Sequence, residues 1–216
     1  MNPVPESMAR LLFFLLPLLM FLVFPAASAN EVEARQLTIL EDRSELAIEG
    51  TSNVNQFRCI AGQYAVDATA PNGSLSSASE ENPLHIDVSI LVKGFECGRS
   101  RMNRDLQDAL LADEHPDIHF RYLSTVDAIY HSQRDLYQLL ISGELTVAGT
   151  TRIIMFSAFG RLHDNQLVQL EGQTDILMTD YGIDPPSAML GLVQVRDELT
   201  VHFNLFAELA DTLIIE

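Results

Sequence analysis

Residues 101–120 read RMNRDLQDALLADEHPDIHF, and the parsing of this stretch decides the fold. Met102, Leu106 and Leu110 fall at i, i+4 and i+8 with Ala109 beside them, so a short helix over Arg101 to Ala112 carries one apolar stripe. Ser100 is placed to cap its start, and Asp105 sits in the half where the helix dipole favours negative charge. Pro116 forbids the helix from running on. Beyond it Ile118, Phe120 and Tyr122 alternate with His119 and Arg121, the period of a strand with one buried face.

Working outward, the same period of two recurs. Leu46, Ile48 and Gly50 oppose Glu45 and Glu49. Leu84, Ile86, Val88, Ile90 and Val92 oppose His85, Asp87 and Ser89. Tyr137 to Val147 and Leu199 to Ala207 repeat the pattern with Ser, Gln, Glu, Thr, His and Asn on the opposite face. Turn signals separate these runs at Pro71-Asn72-Gly73, Ala148-Gly149-Thr150, His163-Asp164-Asn165 and Gly182 to Pro186. Gly73 to Asn82, rich in Ser and small residues, reads as a mobile hairpin loop. One all-β domain interrupted by one short helix is the expectation. Alternating strands must cover their apolar face, and a closed antiparallel barrel does so without leaving open edges. Periodicity alone fits a sandwich as well as a barrel.

The first 29 residues stand apart. Arg10, the apolar run Leu11 to Phe24 and the small-x-small triplet Ala27-Ser28-Ala29 have the pattern of a cleaved export signal. The apolar run is shorter than the roughly 20 residues that span a bilayer. The expected mature domain is therefore residues 30–216, periplasmic or secreted. Its charge of −17 excludes nucleic acid, whose phosphates demand clustered Lys and Arg, and fits a solvated acidic surface. Cys59 and Cys97 are the two cysteines. In an exported chain the pair suggests a disulfide; two free buried thiols, or a redox or metal pair, are the other readings.

The segments Met102-Asn103-Arg104-Asp105-Leu106 and Ala112 to Phe120 resemble the centre of the YceI-like family of secreted, lipocalin-like barrels. Ser44 to Phe57 is similar to that family's first strand and following turn, and Ser142 to Arg152 to its strand-turn element. Thr179-Asp180-Tyr181-Gly182-Ile183 is similar to its late loop, and Val193 to Glu208 to its closing strand. The likeness runs over roughly residues 36 to 209. It implies an extended eight-stranded antiparallel lipocalin-like barrel with a short helix between central strands. It also implies an apolar interior holding a long-chain amphiphile: a polyisoprenoid, an isoprenoid quinone or a fatty acid derivative. Asn55 stands where relatives often carry a histidine, so a head-group contact there is not carried over.

A lipid tail needs a dry apolar wall, because each buried CH₂ contributes about 0.8 kcal/mol without directional bonds. Candidate lining residues are Phe57, Ile90, Phe95, Met102, Phe120, Phe156, Phe159, Leu177, Met178 and Phe203; by type each is equally a core residue. Arg99, Arg101, Arg104 and Arg152 are candidates for a head group, with salt bridges to the many acids as the plainer role. Ile153 to Phe159 is apolar on both faces, which fits burial from two sides or a homodimer contact. His115 and His119 lie four apart, but Pro116 breaks the helix that would join them on one metal, and strand alternation makes His119 a surface residue. Asp180 and Asp184, beside Tyr181, read as turn-capping carboxylates rather than an acid–base pair. No Gly-x-Ser-x-Gly, phosphate loop or HExxH occurs. The expectation is a binding protein, not an enzyme, with no cofactor beyond a bound lipid. The rival readings are a filled barrel serving as a stress-related protein–protein module, and an unrecognised hydrolase.

Overall fold

A computed structural model describes residues 34–71, 84–163, 166–188 and 192–209. The export signal and the Gly73 to Asn82 loop expected from sequence lie outside these residues. The strands are β1 (Ala34–Ile39), β2 (Glu45–Ser52), β3 (Gln56–Ala61), β4 (Tyr64–Pro71), β5 (His85–Leu91), β6 (Phe95–Glu96), β7 (Asp117–His131), β8 (Leu136–Val147), β9 (Thr150–His163), β10 (Leu167–Leu177), β11 (Ser187–Ala188) and β12 (Val193–Leu209). One helix, α1 (Ser100–Ala109), lies between β6 and β7.

Three pairs of short strands act as single staves. β1 and β2 lie end to end along β12, through Leu37↔Leu209 to Ile39↔Ala207 and then Glu45↔Asn204 to Gly50↔Leu199. β3 and β4 pair with β2 and β1 on one side and with β6 and β5 on the other. β5 passes to β7, and β7, β8, β9, β10 and β12 complete the circuit. The result is a closed eight-stave antiparallel barrel. Closure consumes both sheet edges, which is how a chain of alternating strands avoids exposed ladders. Between β8 and β9, Ala148 and Gly149 both take positive φ (46° and 78°), the two-residue turn whose twist matches a hairpin.

One end of the barrel is sealed. Met102, Leu106 and Ala109 of α1 pack on a cluster that includes Ile48, Cys59, Ile90, Val92, Phe95, Ile118, Leu145, Met178 and Leu199. Cys59 and Cys97 form the expected disulfide, with Cα atoms 4.0 Å apart. Asn103 pins the helix: its Oδ1 accepts from the Cys97 N–H at 2.8 Å and its Nδ2 donates to Glu96 at 2.9 Å. Two expectations need correction. Ser100 is the first helical residue rather than the cap; Arg99 holds the cap position and no side chain closes it. The run from Leu84 to Val92 stops as a strand at Leu91, because Val92–Gly94 winds into a 3₁₀ turn before Phe95. The helix ends in a Schellman motif, with Ala112 N–H donating to Gln107 O and Leu111 N–H to Asp108 O. Leu111, not glycine, takes the left-handed position (φ 54°).

Candidate binding site

Strand alternation sorts the side chains into an inner and an outer set. Phe120 on β7, Phe156 on β9 and Phe203 on β12 all point inward, yet each is only half-buried. Most buried residues fall into two separate clusters, the sealed base and a smaller group of Leu37, Ala68, Ala70, Ala207 and Leu209. Outside them Ile141 and Ala158 are buried on the wall beside Phe156, while the three rings keep part of their surface accessible.

The three rings touch. Phe156 meets Phe120 at 5.8 Å and Phe203 at 5.6 Å between centroids, both edge-on. Yet β7 and β9 are separated by β8, and β9 and β12 by β10. Strands two apart sit roughly 9.5 Å from each other, so Phe120 and Phe203 must lean across the intervening strand. The residues beneath them are Gly143 on β8 and Gly172 on β10. A methyl group on Gly143 would collide with the Phe120 ring, and one on Gly172 would lie 2.6 Å from Phe203 Cζ. Gly50 on β2 carries Phe57 in the same way. The sequence reading placed Gly50 and Gly143 on the inner faces but missed this seating. Its signal was available, since glycine inside a strand often marks a close approach.

The ten residues expected to line the interior divide into three groups. Phe120, Phe156 and Phe203 make the aromatic belt. Phe57 and Met102 pack half-buried on the sealed base, where Ile90, Phe95 (1 % exposed) and Met178 are buried. Phe159 and Leu177, 38 % and 41 % exposed, face outward and are corrected out of the wall. The parity that turns Phe156 inward turns Phe159 outward, and Leu177 follows the inward Ile176 just before the chain winds into the 3₁₀ turn at Met178. The outer positions Ile153 and Met155 are 70 % and 65 % exposed.

Polar groups gather elsewhere. Arg99, Arg101 and Arg104 ride on or beside α1 at the base, with Arg101 3.8 Å from Asp105. Arg152 Nε donates to the Asp180 carbonyl at 2.9 Å, tying β9 to the 3₁₀ turn Met178–Tyr181. Capping of that turn falls to Asp197, not to Asp180 or Asp184. Its carboxylate accepts from the Thr179 hydroxyl at 2.6 Å and N–H at 2.9 Å, and the hydroxyl above all holds its pKa below the usual carboxylate value. His115 lies across Gly149, while His119 faces outward opposite Thr146 on β8. Burial raises the pKa of Tyr181 and of Tyr64. The Tyr64 hydroxyl is buried without a hydrogen bond among the described residues. The Ser44 hydroxyl near it exchanges bonds with the backbone of Phe206 instead, so its opposing pull on Tyr64 is the weaker influence.

A groove of about 590 Å³, lined by Glu45, Arg58, Glu171 and His202 and also by Phe159, Gly172 and Phe203, opens to solvent beside β9, β10 and β12. Arg58 bridges Glu45 and Glu49 across it. Open to solvent and flanked by charged side chains, it gives a lipid tail no dry enclosure. Among the described residues no group of three or more His, Cys, Asp or Glu is arranged to hold a metal ion.

Fold and inner wall together define a lipocalin-like barrel with an apolar, aromatic interior. The YceI-like domain model matches residues 37–207, and the chain belongs to that family. Among solved structures, Burkholderia cenocepacia BcnA superposes with a TM-score of 0.59 at 14% identity, covering 78% of this chain and 98% of that one. A polyisoprenoid binding domain from Saccharophagus degradans gives 0.57 at 11% identity, covering 81% and 98%. The Campylobacter jejuni YceI protein gives 0.53 at 16%, covering 71% and 85%. No curated protein matches the chain.

Proposed function

We propose that this chain is an exported binding protein that holds a long-chain amphiphile, of the polyisoprenoid, isoprenoid quinone or fatty acid class, inside the barrel. It would transport, store or sequester that molecule. The observation that carries this reading is the half-buried inner belt of Phe120, Phe156 and Phe203. A barrel that only needed a core would bury these rings as it buries Phe95. Each CH₂ of a tail laid against them would contribute about 0.8 kcal/mol, so a dozen carbons suffice for tight binding without a polar anchor. The family, and a neighbouring structure described as a polyisoprenoid binding domain, support the same class of ligand. They also support binding rather than catalysis.

Export rests on the apolar leader ending at Ala29 and on the Cys59–Cys97 disulfide, which persists in oxidising compartments. N-terminal sequencing of the exported protein should begin near Asn30. Native mass spectrometry of protein purified from its own host should reveal a bound lipid that organic solvent releases. Ligand-free protein that also fails to take up a quinone or a polyprenol sinks the reading. The second reading, an interaction module or homodimer, is favoured by the outward Ile153 and Met155. Sedimentation of the wild type and of Met155→Glu distinguishes it, since only an interface through this face would be broken by the charge.

A further inference from the structure

We infer that Gly143 and Gly172 set the bore of the barrel and thereby select a thick, methyl-branched chain over a slim polymethylene one. The inference rests on the proposed function and deepens it. Each glycine occupies an inward position on a strand lying between two phenylalanine-bearing strands. On β8, Gly143 lets Phe120 lie down on the wall; on β10, Gly172 does the same for Phe203. Both rings thereby reach Phe156 and form a continuous lining instead of standing up into the interior. A glycine contributes no side chain to a sheet and weakens the strand that holds it. Here it makes room for a neighbour's ring, and the space that remains along the axis is what a ligand can occupy.

A Cβ at either position closes the seat. At Gly172 it would sit 2.6 Å from Phe203 Cζ and 2.9 Å from the Ser157 carbonyl oxygen. At Gly143 it would meet the Phe120 ring and lie 2.8 Å from the Arg121 carbonyl oxygen. The ring is the part that can move, and a ring lifted off its glycine rises from the wall into the interior. The added methyl is small; the displaced phenyl group is not. A straight alkyl chain can still pass a raised ring, whereas a chain with regularly spaced methyl branches loses the room that its branches need.

The test titrates wild type, Gly172→Ala, Phe203→Ala and the double variant with a polyprenol and with palmitate, following complexes by native mass spectrometry. Urea unfolding checks that each variant is folded. Gly172→Ala should weaken polyprenol binding roughly tenfold and palmitate by less than about twofold. The double variant, with no ring left to displace, should return to within about threefold of wild type for polyprenol. Equal weakening of both ligands, no weakening, or a double variant as poor as the single one overturns the inference. Should Gly172→Ala not fold, Phe203→Ala carries the test, because it demands no backbone shift. It should raise the polyprenol-to-palmitate preference at least about threefold, and an unchanged preference overturns the inference. A wild type that binds neither probe fails at the earlier step and refutes the proposed function itself.

Discussion

The sealed base and the aromatic belt are both built from inward apolar side chains of one barrel, and they end in different states. At the base Phe95, Val92 and Cys59 are wholly buried; at the belt Phe120, Phe156 and Phe203 remain half-exposed. Nothing in their hydrophobicity separates them. What differs is the cover. The base has α1 laid across it and a disulfide drawing β3 to the segment after β6, whereas of the three belt rings only Phe120 packs against that base cluster. An inward apolar side chain is therefore core or binding surface according to what closes over it.

The sharpest way to break that contrast is to truncate one ring from each region. Phe95→Ala should cost about 3–5 kcal/mol in urea unfolding, the range for a fully buried ring. Phe156→Ala should cost about 1–2 kcal/mol, mainly its two edge-on contacts, while lowering lipid uptake more than Phe95→Ala does in protein that remains folded. Similar stability costs at the two sites would mean that they are one core. Removing the disulfide as Cys59→Ala with Cys97→Ala should cost about 3–4 kcal/mol on the chain-entropy model for a separation of 38 residues. Loss of the α1 helical signal together with unchanged strand content would tie that effect to the cover. A smaller change runs the other way. Leu111→Gly should raise the unfolding free energy by up to about 1 kcal/mol, since glycine takes the left-handed position without the side-chain penalty.

The smallest expected effect is a pH dependence at the edge of the base. Thr179 depresses the Asp197 carboxyl in the folded state. Its contribution to stability is thus complete above the unfolded value of 3.8 and is lost as pH falls through the lower, folded value. Asp197→Asn should lower Tm modestly at neutral pH, where the wild-type contribution is complete, and flatten the acid limb below about pH 4. An acid limb identical to wild type would remove Asp197 from the account.

Much of this architecture was legible because polar residues mark the outer faces. In Tyr137 to Val147 the alternation with Gln, Ser, Glu and Thr assigns each side chain to one side. Ile153 to Phe159 carries Ser157 as its single polar marker, so Phe159 passed for a lining residue beside the inner Phe156. Leu177 failed for another reason, being the last strand residue before a change of backbone conformation. The disulfide followed from two cysteines in a chain whose leader reads as an export signal. The glycine seats were hidden because the ring resting on each glycine belongs to another strand, and no local pattern encodes which ring will lean over it. The cap at Thr179 was hidden similarly, its carboxylate lying 18 residues onward.

The ladder between β9 and β10 runs from Leu167↔His163 only to Gly172↔Ala158, although β8 follows β9 to Thr150 and β12 follows β10 to Leu177. For about five further rungs, roughly 17 Å of strand, the two staves stand side by side unbonded, held at the far end by Arg152 and the Asp180 carbonyl. A hoop resists stretching because its links act in series, and removing one link leaves a split ring. At this level the girth of the barrel is set by the bending of strands rather than by the stretching of hydrogen bonds. Phe156, the ring that joins the belt's two halves, sits on the lip of that split.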